Sequence, residues 1–310
     1  MQDKKRILKK LLLLLVTMFV LDRSIGAVLQ HYFFAKKNGF DYRTNYVMNT
    51  AKPDVLIFGS SRASYHYNTK VLQDSLKISV YNAGRDLSYI QYHYALLQGV
   101  LKRYSPKLIV LDTRPNEFQK FENGENYDRL NVLLPYYDTH PEIREVVELR
   151  SPYEKVKLLS KIYPYNSLIL SELVELLPIA RYKKDDSENG YIVKNGNFNS
   201  PRGPYTVDDE VDPVAALYYK KFVQVCKAKN IKLVIAYSPM YQNIDTLRNR
   251  NLLFAKQVCK ENNLPLIDYL YDPQFNTPQY FYDKLHLNGA GSTLYSQRIV
   301  RRLREVLNSK

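Results

Sequence analysis

The chain has 310 residues, of which 45% are hydrophobic, 25% charged and 13% aromatic, enough apolar content to bury a full core; a disordered, collagen-like or disulfide-stapled chain is excluded. Its 45 Lys and Arg against 31 Asp and Glu leave a net charge of +14, and residues 1–50 alone hold nine of those cations against three Asp. The excess charge is therefore concentrated at the N-terminus, and with no helix-turn-helix, zinc-finger or RNP-like pattern it argues against nucleic-acid binding.

Taken in chain order, the first element is the source of that charge. Residues 4–10 read Lys-Lys-Arg-Ile-Leu-Lys-Lys, Leu11 to Leu21 is an uncharged apolar run, and Asp22 and Arg23 follow at once. This is a membrane-targeting pattern. Three readings stand: an uncleaved signal anchor over 1–35 with its cations cytoplasmic and the bulk of the chain outside; a signal peptide cleaved near Ser24 and Gly26; or a plain amphipathic first helix. The signal anchor is the expectation. Eleven residues supply about 16 Å of helix against the roughly 30 Å of a hydrocarbon core, so the helix must continue toward Phe34. Asp22 and Arg23 then face a partner or water, or lie at the lipid interface, since a charge at the bilayer centre costs about 3 kcal/mol. Residues 36–52 read as a linker.

From Pro53 onward, short β-branched or Leu-rich runs alternate with segments of helical period. The strands fall at Val55 to Phe58, Ile78 to Tyr81, Leu108 to Leu111, Leu233 to Ala236 and Leu264 to Ile267. Helical patterns cover Lys70 to Leu76, Tyr89 to Tyr104, Val214 to Lys229, Thr246 to Asn262 and Ala290 to Leu307. Right-handed βαβ crossovers make this a three-layer α/β/α sandwich around a parallel five-stranded sheet. Residues 119–212 break the rhythm, contain nine tyrosines and a helical piece near Tyr153 to Ile162, and read as an insertion in one domain spanning 53–310. Cys226 and Cys259 lie on helical patterns separated by a strand and are expected as buried thiols. No metal-ligand spacing occurs and no cofactor motif competes.

In open parallel sheets ligands bind beyond the carboxyl ends of the strands. There the sequence places Gly59-Ser60-Ser61-Arg62, Asn82-Ala83-Gly84-Arg85, Thr113-Arg114-Pro115-Asn116 and Ser238-Pro239, and the loop Asp283-Lys284-Leu285-His286 precedes the last helix. A serine nucleophile needs an imidazole base and a carboxylate to orient it. His31 is beside the anchor, His66 and His93 are on helical or pre-helical segments, and His140 is in the insertion. Only His286 follows an Asp by three residues in a loop opening a helix, which leaves Nε2 free to face the end of the first strand.

The Gly59-Ser60-Ser61-Arg62 turn, Asn82-Ala83-Gly84, Asn116 and Asp283-x-x-His286 resemble the four blocks of the SGNH (GDSL-like) hydrolase and acyltransferase superfamily, over the whole chain from about residue 53 except the insertion. The resemblance implies a flavodoxin-like sheet of order 2-1-3-4-5 preceded by the membrane helix. It implies Ser61 as nucleophile, His286 as base, Asp283 as its orienting acid, and an oxyanion hole made by Ser61, Gly84 and Asn116. Two departures stand out: Ser60 precedes the nucleophile where esterase-like members have Asp, and Thr-Arg-Pro-Asn stands where they have Gly-x-Asn-Asp. Both are closer to the membrane-anchored branch that helps acylate teichoic acids or exopolysaccharides. Ser60 stays a rival to Ser61. The α/β-hydrolase alternative fits less well, because Ala63 replaces the last glycine of G-x-S-x-G and acid and base share one loop.

Arg62 and Arg85 flank the expected pocket as ligand contacts or structural ion pairs, and the insertion's tyrosines are candidates for a glycan-stacking lid. The expected function is that of an extracytoplasmic, membrane-anchored serine esterase or O-acyltransferase acting on an acyl ester or acylated envelope glycan. It would need no cofactor or metal, and a multi-spanning membrane acyltransferase is its expected partner. The alternative is a catalytically silent module that scaffolds a glycan-modification complex.

Overall fold

The computed structural model describes residues 2–167, 187–205 and 210–309. The remainder of the insertion, including its Tyr182, lies outside the described residues. The chain divides into two compact units, Met1–Tyr42 with Leu130–Lys184, and Arg43–Arg129 with Asp185–Lys310.

The second unit carries five parallel strands, β1 (Val55–Gly59), β2 (Val80–Asn82), β3 (Leu108–Asp112), β5 (Lys232–Tyr237) and β7 (Leu266–Asp268), in the order β2-β1-β3-β5-β7. Two-residue strands β4 (Gly203–Pro204) and β6 (Gln242–Asn243) pair separately. Counting only the strands of the main sheet along the chain, the order is 2-1-3-4-5. In-register pairs such as Ile57 with Val110 and Val110 with Val234 align the carboxyl ends. Because successive strand residues point to opposite faces, Val55, Ile57, Val110, Val234 and Ala236 share one core with Leu72, Tyr295, Ile299 and Leu303. On the other face, Phe58 meets Phe222 edge to face at 5.5 Å. Strands buried on both faces explain why these runs read as continuously apolar.

Helices α3 (Ser61–His66), α4 (Thr69–Leu76) and α8 (Gly289–Asn308) pack on the first face. Helices α5 (Ile90–Leu101), α6 (Pro213–Ala228) and α7 (Arg250–Glu261) belong to the second. Cys226 on α6 and Cys259 on α7 are buried, free thiols. Residues 36–52, read as a linker, contain α2 (Gly39–Asn49), whose Val47 and Met48 are buried. Arg103 closes its C-terminal end by donating to the carbonyls of Val47, Met48 and Ala51.

Part of the insertion closes the sheet. Asn82 on edge strand β2 donates its N–H to the Asn189 carbonyl, and Ile192 donates to Ser64. At Gly190, with φ +84°, any Cβ would overlap the Asn82 carbonyl. The edge of β2 is thereby covered by the chain's own turn.

In the first unit, α1 (Gln2–Ala35) is a single helix long and apolar enough to cross a membrane. Its C-terminal half packs on the insertion through Phe33, whose ring lies 5.8 Å from both Tyr136 and Tyr165.

Candidate active site

Strand β1 ends at Gly59, whose φ of +149° and 2.7 Å separation between a built Cβ and the Asp112 carbonyl require glycine. The chain then turns sharply, with Ser60 extended, and Ser61 opens α3. As the first helical residue, Ser61 has a backbone N–H without an intrahelical acceptor. Ser60 is fully buried, and its hydroxyl has no partner among the described residues. Of the two adjacent serines, only Ser61 meets an imidazole.

Ser61 Oγ lies 2.8 Å from His286 Nε2, and His286 Nδ1 lies 2.8 and 3.0 Å from the two carboxylate oxygens of Asp283. The loop folds this way because Asp283 also accepts the backbone N–H groups of Leu285 at 2.8 Å and His286 at 2.9 Å, a tight Asx turn on the three-residue spacing. Burial acts to raise the Asp283 carboxyl, but the His286 ring and these two N–H bonds outweigh it and hold it below its usual range. An ionised Asp283 fixes the proton on His286 Nδ1 and leaves Nε2 as the acceptor for the Ser61 hydroxyl.

The loop holding His286 rests on a buried polar group that the sequence does not reveal. His66 Nε2 accepts the N–H of Leu287 at 3.0 Å, and its Nδ1 is 2.8 Å from Ser238 Oγ. Full burial, with Arg62 and His286 nearby, holds His66 well below its usual pKa, so it is neutral with its proton on Nδ1. Ser238 Oγ also receives Arg62 Nε at 3.1 Å and Nη2 at 3.0 Å, and Arg62 Nη2 donates again to the Ser238 carbonyl. Arg62 is 2% exposed and sits 3.9 Å from Asp112. Of the two expected readings of Arg62, ligand contact or structural ion pair, these contacts are those of the second. Asp112 accepts from Tyr67 at 2.7 Å and from the Ser238 N–H at 3.2 Å. A lone histidine five residues after a serine gives no signal for this; the strand end at Ser238 is recognisable, but its role is not.

The remaining expected residues fall at the strand ends, each with a partner already. Gly84 N–H donates to Asn82 Oδ1 at 3.0 Å, while Asn82 Nδ2 donates to the Ala63 carbonyl at 2.7 Å, tying this turn to α3. A Cβ on Gly84 would stand 2.5 Å from Ser64 N, which is why the position is glycine. Asn116 Nδ2 donates to Gln119 Oε1 at 3.2 Å. The single N–H of Gly84 would thus have to exchange its partner for a ligand oxygen, whereas the Asn116 amide has a second hydrogen to donate. Arg85 Nη1 donates to Thr44 Oγ1 at 3.0 Å.

Two residues outside the expected set line the histidine. The ring of Tyr65 stands edge to face with His286 at 5.2 Å and its hydroxyl bonds Asp86. Lys194 Nζ lies 4.2 Å from the centre of the Tyr65 ring and 5.3 Å from that of Tyr282. Among the described residues no group of three or more His, Cys, Asp or Glu is placed to hold a metal ion.

No protein-family model matches the chain, and no curated protein matches it. Among solved structures it is similar to a protein described as lipolytic and of the G-D-S-L family from Desulfitobacterium hafniense, at 12% identity and a TM-score of 0.40 over 80% of this chain and 97% of that one. An acetyl xylan esterase matches at 14% identity and a TM-score of 0.39, over 81% of this chain and 98% of that one. A protein described as an acylhydrolase from Bacteroides fragilis matches at 12% and 0.42, over 88% and 100%. At these identities and scores, neither activity nor substrate passes from those proteins to this chain.

Proposed function

We propose that the protein is a membrane-anchored serine enzyme of the SGNH type, an esterase or O-acyltransferase whose Ser61 carries the acyl group. The observation behind this reading is the continuous line of hydrogen bonds from Ser61 through His286 to Asp283, each 2.8 Å long. Ser61 Oγ attacks the ester carbonyl as His286 Nε2 takes its proton, and Asp283 stabilises the imidazolium. The carbonyl carbon–oxygen bond to the alcohol then breaks, and the proton passes from His286 to the leaving oxygen. In the second half, water or a glycan hydroxyl attacks the acyl-serine, gives its proton to His286, and Ser61 recovers it. The backbone N–H of Ser61 supports the oxyanion, joined by Gly84 as it leaves Asn82 and by the second Nδ2 hydrogen of Asn116. One such donor is worth about 100-fold to 1,000-fold in rate.

The site-bearing unit is read as extracytoplasmic, with the Lys-rich start of α1 in the cytoplasm, and the substrate as an acyl ester or acylated envelope glycan. The composition behind that reading is the apolar run bounded by cations. A multi-spanning acyltransferase remains the proposed partner. It cannot be argued from Asp22, whose carboxylate is taken up by the chain's own residues 160–162.

A second reading, a silent binding module, draws on the occupied donors at Gly84 and Asn116. Labelling the full-length protein with a fluorophosphonate and mapping the adduct by mass spectrometry separates the two. The enzyme reading expects an adduct on Ser61, unchanged in Ser60→Ala and lost to background in Ser61→Ala and His286→Ala. Absence of any adduct on the folded wild type would favour the silent module.

A further inference from the structure

In the unit formed by α1 and the insertion, the apolar run Leu11–Leu21 is exposed along its length, from 50% at Leu11 to 67% at Leu13. It is the most continuous apolar part of α1, a helix that as a whole is long and apolar enough to cross a membrane. Immediately after it, the helix is clamped by one turn of the insertion. Asp22 accepts the N–H of Lys161 at 2.9 Å and of Ile162 at 3.4 Å together with the Ser160 hydroxyl. Arg23 Nη1 donates to the Leu159 carbonyl at 2.9 Å while its guanidinium lies 4.7 Å from the centre of the Phe19 ring. A Cβ on Gly26 would stand 2.4 Å from Lys161 Cβ, so the backbones are in close contact. The end of the segment before this clamp, at Leu159, is therefore held to Arg23, two residues past the apolar run.

That segment presents its large apolar side chains outward. Tyr153, Val156 and Leu159, three residues apart, are 67%, 65% and 68% exposed, around the short helix Glu154–Lys157. Three large apolar side chains at one-face spacing do not stay in water without reason, and the last of them belongs to the residue whose carbonyl accepts from Arg23, just past the exposed run. The polar groups of the segment are meanwhile satisfied internally: Glu154 is buried and holds Arg150, Lys157 and the Tyr163 hydroxyl. Lys155 pairs with Glu148 at 3.2 Å on a long stem that can reach headgroups.

We infer that Tyr153–Leu159 is a membrane-inserting wedge, which places Tyr153, Val156 and Leu159 in the leaflet where the apolar run of α1 ends. It rests on the reading of α1 as a membrane anchor and extends it. The wedge adds apolar contact beside that helix, and Asp22 and Arg23 tolerate the interface because backbone groups of residues 159–162 satisfy them. The occupant of the surface is the lipid bilayer, on the grounds of its continuity with the exposed run.

The test uses the full-length protein in phosphatidylcholine–phosphatidylglycerol vesicles, with single cysteines at Val156, Leu159, Leu14 and, as the aqueous reference, Leu247, which is 84% exposed. Cys226 and Cys259 are buried and do not compete for the label. An environment-sensitive fluorophore at 156 and 159 is expected to be quenched by nitroxide lipids as at 14, and by iodide several-fold less than at 247. Quenching by iodide to the level seen at 247 overturns the wedge. Protection from both quenchers means a protein, such as a second copy, covers the surface, and also overturns it. A Leu14 probe in water would reject the anchor and the wedge together, whereas lipid contact at 14 alone would reject the wedge only.

Discussion

His66 bears on the Ser61–His286 pair through the backbone. Its neutral ring receives the Leu287 N–H and contacts Ser238, so it fixes the backbone directly after His286. In the proposed mechanism it is a positioning residue: His66→Ala leaves a buried N–H without an acceptor and frees the loop to shift by the few tenths of an ångström that proton transfer resists. The rate of fluorophosphonate labelling at Ser61 is expected to fall about tenfold, equivalent to about 1.4 kcal/mol on the barrier, with partial recovery in His66→Gln, whose amide can accept the same N–H. Equal rates in the alanine variant and wild type would remove His66 from the mechanism.

Among the elements, three adjacent strands, β2, β1 and β3, are joined at their N-terminal ends by one carboxylate. Asp54, just before β1, accepts from the Ser79 hydroxyl at 2.6 Å and the Ser79 N–H at 3.1 Å before β2, and pairs with Lys107 before β3 at 2.9 Å. The Ser79 hydroxyl and Lys107 hold its carboxyl down at about 2, against a model-peptide value of 3.8. The depressed folded-state pKa makes this stabilisation fully present above pH 4, and it is lost as the pH falls from about 4 to about 2. Because Asp54 is 29% exposed, solvent screening reduces the gain to about 1 kcal/mol. Urea denaturation of Asp54→Asn is expected to show that loss at pH 7 and none near pH 2. A difference independent of pH would mean the charge is not the cause.

At the scale of the whole molecule, α1 also packs within its own unit. Phe33 is 2% exposed between Tyr136 and Tyr165, and Phe34 lies 5.5 Å from Tyr136. A chain beginning at Lys36 therefore loses a buried aromatic worth about 3 kcal/mol to its unit, whereas one beginning at Asp22 removes the apolar run and keeps the packing. Limited proteolysis is expected to cut residues 130–167 readily in the first chain and to spare them in the second. Equal protection in both would show that the helix does not hold that unit together.

The sequence by itself determined the five strands, their helices, and the turns that follow them, because these depend on local period and on glycine or polar residues at strand ends. It also determined the Asp283-x-x-His286 turn, since a spacing of three places carboxylate and imidazole together wherever the loop lies. Choosing between Ser60 and Ser61 needed the tertiary structure, which buries one hydroxyl and turns the other toward His286. The structure likewise turned Arg62 inward and joined residues 62, 66, 112, 238 and 287 into one buried network. It also brought residues 159–162 to Asp22, more than a hundred positions away. Such contacts leave no period in the sequence. They arise when separate segments are packed together and each buried donor must find an acceptor.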